Sequence, residues 1–134
     1  MADKMNDAFP KSMPSLARAQ RVTAWASEFG FDWPAVEPVW KKVEEELAEL
    51  KAAVLSKDTD RVGEEMGDLF LSLVNLSRFL NVEAEDALSG AVDRFRRRFG
   101  YVEKKIQEQG RSLSQASLEE MDAFWEEAKQ IERS

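Results

Sequence analysis

After Pro14, apolar residues recur with the period of an α-helix through nearly the whole chain, and no segment shows the two-residue alternation of a strand. That pattern points to an all-α fold, a helical bundle of about five helices. Ser15 is placed to cap a first helix over residues 15–29, which Gly30 ends. The connector GFDWPAVEP, with two prolines and two large aromatics, leads to a second helix over 38–55 that opens on Pro38. A polar break at 56–60 precedes a third helix over 60–80, with Asn81 as its stop. A fourth is expected over 84–109, ended by Gly110. Ser117 and Glu120 form a capping box for a last helix that runs to residue 132. The length of 134 residues fits one domain, read as 15–134 behind a flexible lead-in of residues 1–14. A helical chain of this size commonly completes its core by dimerising.

The chain has no cysteine and no histidine, which removes disulfides, thiol nucleophiles, the commonest general base and the commonest transition-metal ligand. Hydrolytic chemistry here must rest on carboxylates, lysine, hydroxyls or a metal-bound water, and carboxylates suit hard cations such as Mg²⁺ or Mn²⁺. With 19 basic and 26 acidic residues the net charge is −7. That argues against nucleic-acid binding, even through the basic run RFRRRF. No apolar run approaches the roughly 20 residues that span a bilayer. The first residues lack the apolar centre of a signal peptide, so the expected location is the cytoplasm.

The third helix, MGDLFLSLVNLSRFL, is apolar nearly all round and is expected to be buried on most sides. Yet Glu64, Glu65 and Asp68 stand at its start, a costly arrangement unless something neutralises them. On the second helix, Lys42, Glu45, Glu46 and Glu49 share one arc beside the core stripe of Val43, Leu47, Leu50 and Val54. On the third, Arg61, Glu65 and Asp68 share a narrow face. If these helices pack antiparallel, Glu46, Glu49, Glu65 and Asp68 converge. Converging carboxylates repel, and a divalent cation removes that penalty. The plainer reading is a solvated acidic face.

The run KKVEEELAEL, followed by EMGDLFLSLVNLSRFL, resembles the MazG family of nucleoside triphosphate pyrophosphohydrolases. The family pattern EExxE then ExxD falls here on Glu45, Glu46 and Glu49, then Glu65 and Asp68. The likeness extends upstream through SLARAQ and GFDWP, and downstream through AVDRFRRRFGYVEKKI and LEEMDAFWEEAK. It is greatest to the C-terminal domain of two-domain members, which carry a second copy of the domain. The resemblance implies an all-α homodimer that binds Mg²⁺ through Glu46, Glu49, Glu65 and Asp68. It implies hydrolysis of a nucleoside triphosphate to monophosphate and pyrophosphate, as housecleaning of nucleotides. Glu45 is then a second-metal ligand or water activator, and Glu45, Glu46 or bulk hydroxide takes the proton.

Other residues are placed around this chemistry. Arg94 and Arg98 lie one turn apart, and the matching family positions contact phosphate; a solvated face beside Arg96 and Arg97 is the alternative. Lys42 and Arg61 either bind phosphate or neutralise neighbouring glutamates. Trp125 stands where the family has a tryptophan near the base, although a tryptophan is more often core. Trp25, Trp33 and Trp40 are read as core or dimer interface. Asn75, polar inside the apolar helix, either bonds a neighbouring helix or reads the base or sugar. Gly63 and Gly67 leave room for a close approach. Competing functions are a dUTP- or modified-nucleotide-selective pyrophosphatase of the same superfamily, and a non-catalytic helical dimer that binds partners.

Overall fold

A computed structural model describes residues 7–134. Five α-helices follow in order: α1 (Ser15–Ser27), α2 (Val36–Ser56), α3 (Thr59–Phe79), α4 (Ala84–Glu108) and α5 (Leu118–Arg133), with a 3₁₀ turn at Leu113–Gln115 before the last. Among the described residues there is no strand. The all-α expectation holds, and each predicted helix is present within a few residues of its expected ends.

The ends that differ have local causes. Ser15 is the first helical residue and not the cap; Pro14 takes that position and offers no side-chain bond. Ser15 therefore does not cap α1 as expected. α2 begins two residues before Pro38, which sits in the first turn where its missing N–H leaves no carbonyl unpaired. α3 starts at Thr59 because Asp58 caps it, its Oδ1 accepting from the Arg61 N–H at 3.3 Å. Asn81 does stop the third helix region, in the left-handed region at φ 57°. The Ser117–Glu120 capping box is present in both directions.

The chain forms two compact units, Met1–Ala87 and Leu88–Ser134. In the first, α2 and α3 are joined by two residues, Lys57 and Asp58, with Lys57 left-handed at φ 60°. That tight link returns α3 along α2, and the pair packs along its length as an αα-hairpin. Val39, Ala53, Val74 and Leu76 are its buried apolar residues. α1 packs on α3 as well. Gln20 of α1 bonds the Val82 carbonyl at 2.9 Å and accepts from the Ala84 N–H at 2.7 Å, which fixes the turn into α4. The lead-in expected to be flexible falls partly on residues 1–6, outside the described residues. Beyond them, Phe9 lies 6.2 Å from Trp25, and its carbonyl accepts from Arg18 at 2.8 Å.

The expectation that α3 is buried on most sides needs correction. Ser72, Val74, Asn75 and Leu76 are buried, whereas Met66, Phe70, Leu71 and Leu73 are exposed. α1 and α2 cover only part of the circumference of an all-round apolar helix. In the second unit, Val102 and Ile106 of α4 and Ala128 of α5 are buried.

Candidate active site

The αα-hairpin sets the acidic residues by register. Glu46 stands ten residues before the end of α2, and Glu65 and Asp68 stand in the first turns of α3, so all three reach one level of the hairpin. Carboxylate oxygens of Glu46, Glu65 and Asp68 lie within 4.8 Å of one another, and so do those of Glu45, Glu46 and Glu49. Glu46 belongs to both groups. Glu46, Glu65 and Asp68 thus meet between the two helices, whereas Glu49 groups with Glu45 and Glu46 on α2.

The electrostatics of this cluster are unfavourable within the chain. Glu46 is 5 % exposed, a fully buried carboxylate. Its Oε2 and the Oε2 of Glu65 are buried with no hydrogen-bond partner among the described residues. Burial pushes the Glu65 carboxyl above its ordinary value. A hydrogen bond shared with Glu49 and the charges of Glu49, Glu46 and Asp68 push it the same way. Buried carboxylate oxygens without donors are rare in folded proteins, because their desolvation is uncompensated. Oxygen donors of this kind fit a hard divalent cation, and the chain has no histidine or cysteine to favour a softer one.

Lys42 is in close contact with the cluster. Its Nζ lies 3.0 Å from Glu46 and 3.5 Å from Glu45. The hydrogen bond to Glu46 raises the Lys42 ammonium above its ordinary value. Arg61 is looser, with Nε 4.0 Å from Glu65 Oε1. Both contacts are the i,i+4 pairs that the neutralising reading describes.

A cleft of about 280 Å³ opens beside the acids. It is lined by Trp33, Lys42, Glu46, Asp68, Leu71, Ser72 and Asn75. Trp33, read from the sequence as core or dimer interface, is half-buried and faces this cleft. The proline-rich connector holds it there instead of a helix face. Asn75 is 7 % exposed, and its Oδ1 accepts from Arg78 Nη2 at 2.8 Å. Arg78 also grips Asp32 with both terminal nitrogens, at 3.1 and 2.9 Å. That bond holds the Asp32 carboxyl below its ordinary value. Gly63 and Gly67 are not needed for contacts within the chain, since a Cβ at either would meet nothing within 4 Å.

The other predicted residues lie in the second unit. Arg98 donates to Glu132 at 2.9 Å and stands 5.8 Å above the Trp125 ring. Trp125 also packs against Phe95, with ring centroids 5.1 Å apart. A Cβ at Gly90 would lie 3.6 Å from Arg94 Nη1. Arg94 and Arg98 both lower the Glu132 carboxyl from its ordinary value, Arg98 most.

The MazG nucleotide pyrophosphohydrolase domain matches residues 36–102. The chain belongs to the MazG family. It is 47 % identical over 117 residues to the nucleoside triphosphate pyrophosphohydrolase/pyrophosphatase MazG of Thermotoga maritima, covering 87 % of this chain and 45 % of that protein. It is 38 % identical over 130 residues to the nucleoside triphosphate pyrophosphohydrolase of Escherichia coli K12, covering 94 % and 49 % respectively. The chain thus spans about half the length of the curated relatives it matches. The matched MazG segment contains α2 and α3 and with them the whole acidic cluster.

Sequence reasoning passed over Asp32 and Arg78, and read Trp33 as core or dimer interface. The signal was available for the first two. A buried asparagine needs a partner, and Arg78 stands three residues from Asn75 on the same helix. A charged arginine this enclosed needs an acid in turn, and Asp32 supplies it.

Proposed function

We propose that the chain hydrolyses nucleoside triphosphates to a nucleoside monophosphate and pyrophosphate, using Mg²⁺ held by Glu46, Glu49, Glu65 and Asp68. One observation carries this reading: carboxylates from two helices meet at buried oxygens that the described residues leave without a donor. Membership of the MazG family and the names of the two relatives support the reaction class. When bound there, a divalent cation offsets the carboxylate charge, draws the triphosphate in and lowers the pKa of the attacking water.

The protein groups divide the remaining work. Water attacks the α-phosphorus, its oxygen forms the new bond, and the bond to the bridging oxygen of the departing pyrophosphate breaks. The proton released passes to a carboxylate, Glu45 or Glu46, because the chain offers no histidine. Glu45 is exposed and Glu46 is buried, so the two differ in how readily they exchange a proton with solvent. Lys42, which holds Glu46, would offer its ammonium to a phosphate oxygen of the substrate. Arg61, Arg94 and Arg98 supply further positive charge to the triphosphate. Asn75 meets the nucleoside end at the cleft, and Trp125 offers a stacking plane. The working form is a homodimer in the cytoplasm, acting broadly on aberrant nucleotides.

Product analysis by ion-exchange chromatography tests this directly. Each of the eight common NTPs and dNTPs is incubated with Mg²⁺ or with EDTA. Metal-dependent monophosphate and pyrophosphate are expected. Diphosphate with phosphate, or no turnover of any nucleotide, would overturn the reading.

A further inference from the structure

Six apolar residues recur along α4 at steps of four, three, four, three and four: Leu88, Val92, Phe95, Phe99, Val102 and Ile106. A repeat of about 3.5 residues is the seam that one helix offers to another lying beside it. Val102 and Ile106 are buried, but the first four stand between 37 % (Phe99) and 58 % (Phe95) exposed. The seam therefore runs on past its own cover. On the exposed half, Phe95 and Phe99 stack with ring centroids 6.0 Å apart. The charges beside this stretch are segregated along the helix. From Glu85 to Asp93 every charged residue is acidic (Glu85, Asp86 and Asp93), and the next five residues hold four arginines, Arg94, Arg96, Arg97 and Arg98. Glu132 of α5 offsets part of that positive charge by pairing with Arg97 and Arg98. A parallel copy of α4 would set arginines against arginines. An antiparallel copy sets the arginine end of each helix beside the acidic end of the other, and opposes the two helix dipoles.

We propose that the exposed half of the α4 seam pairs antiparallel with the same half in a second copy of this chain, Leu88 against the partner's Phe99 and Val92 against the partner's Phe95. One patch then serves both copies, as a two-fold contact requires. The stretch from Leu88 to Phe99 rises about 16 Å, too short a seam to hold two chains by itself. The proposal rests on the homodimer reading above and adds to that dimer a contact made by α4.

The chain has no cysteine, so a single introduced cysteine carries one spin label, and pulsed EPR reads its distance to the same label in the other copy. Arg97 and Lys104 are both exposed and stand one heptad apart on α4. In an antiparallel pair centred between Val92 and Phe95, moving the label from residue 97 to residue 104 carries the two labels apart. The distance in Lys104→Cys should exceed that in Arg97→Cys by about 10–15 Å. The distance in Arg97→Cys should itself lie below about 35 Å, since packed helices run about 8–10 Å apart. A difference that vanishes, as parallel helices would give, or that reverses overturns the seam, and so does an Arg97→Cys distance above about 35 Å. Val92→Glu places a charge on the seam at an exposed position. It should raise the dimer dissociation constant about tenfold in sedimentation, with helicity retained. An unchanged constant also overturns the proposal. A dimer without these distances removes the seam alone, whereas a parent that sediments as a monomer removes the homodimer reading and the seam with it.

Discussion

Arg98 donates through Nε to Glu132 Oε2 at 2.9 Å, so an arginine proposed for phosphate is already paired with a carboxylate near the end of α5. Glu132 also lies 3.9 Å from Arg97. A partly exposed pair of this kind contributes little to stability, about 0–1 kcal/mol. Its effect falls on the free charge of Arg98. Glu132→Gln should leave the melting temperature nearly unchanged and lower KM for the triphosphate about twofold. Arg98→Ala should reduce kcat/KM about tenfold, the cost of one charge-assisted contact. Steady-state kinetics of both variants decide it, and an unchanged kcat/KM in Arg98→Ala would leave the arginine a purely structural partner of Glu132.

The acidic cluster should show its strain when metal is withheld. Glu65 titrates above its ordinary value, so its contribution to stability is present below about pH 4.5 and is lost as pH rises through the folded value. In EDTA, Glu65→Gln should melt about 2–4 °C above the parent at pH 7, and the gap should close as pH approaches 4.5. Mg²⁺ should raise the parent's melting temperature and raise that of Glu65→Gln much less. The same substitution should cost turnover at least about a hundredfold. Calorimetric melts across pH, with and without Mg²⁺, measure all of this; a variant that melts below the parent in EDTA would mean that the carboxylates are not in conflict.

The start of α5 carries the opposite sign. Glu120 is pushed down to about 2, chiefly by the hydrogen bond from Arg111, with the Ser117 N–H second. A depressed carboxylate contributes stability above its unfolded value, near 4.5, and loses it as pH falls toward 2. Glu120→Gln should therefore destabilise the chain at pH 7, and the difference from the parent should shrink below pH 4.5. Ser117→Ala removes the other half of the capping box and should cost about 1 kcal/mol at every pH. Urea melts at pH 7 and pH 3 separate the two behaviours. A pH-independent penalty for Glu120→Gln would show that its charge is irrelevant to the cap.

Helix order and most helix ends could be read from the sequence because they depend on neighbours in the chain: Gly110 and Asn81 at left-handed stops, Ser117 with Glu120 at a start. The acidic site was legible for a related reason. Glu46 and Asp68 sit at fixed register on helices joined by a short link, so periodicity and antiparallel packing suffice to bring them together. The position of Trp33 was not legible, because it rides on an irregular connector whose path is set by a tertiary bond, Asp32 to Arg78. Nor was the exposure of Phe70 and Leu73. The apolar character of α3 predicts a buried helix, whereas Phe70 and Leu73 are exposed among the described residues.

That exposure leads to the last expectation. On α2, Trp40, Leu47 and Val54 recur at seven-residue intervals and are 48 %, 41 % and 56 % exposed. On α3, Met66, Phe70 and Leu73 form a further stripe, and Phe70 is 54 % exposed. Apolar stripes along two adjacent helices are more than a monomer ordinarily leaves in water. A second copy of the same hairpin would cover them with matching ridges, as the proposed homodimer requires. Phe70→Glu combined with Leu73→Glu places two charges on that face without touching the buried residues Val74 and Leu76. Analytical ultracentrifugation at micromolar concentration should find the parent at twice the chain mass and the double variant at the chain mass, with helicity retained. A parent that sediments as a monomer across that range would remove the dimer. The exposed stripes on α2 and α3 would then need another cover.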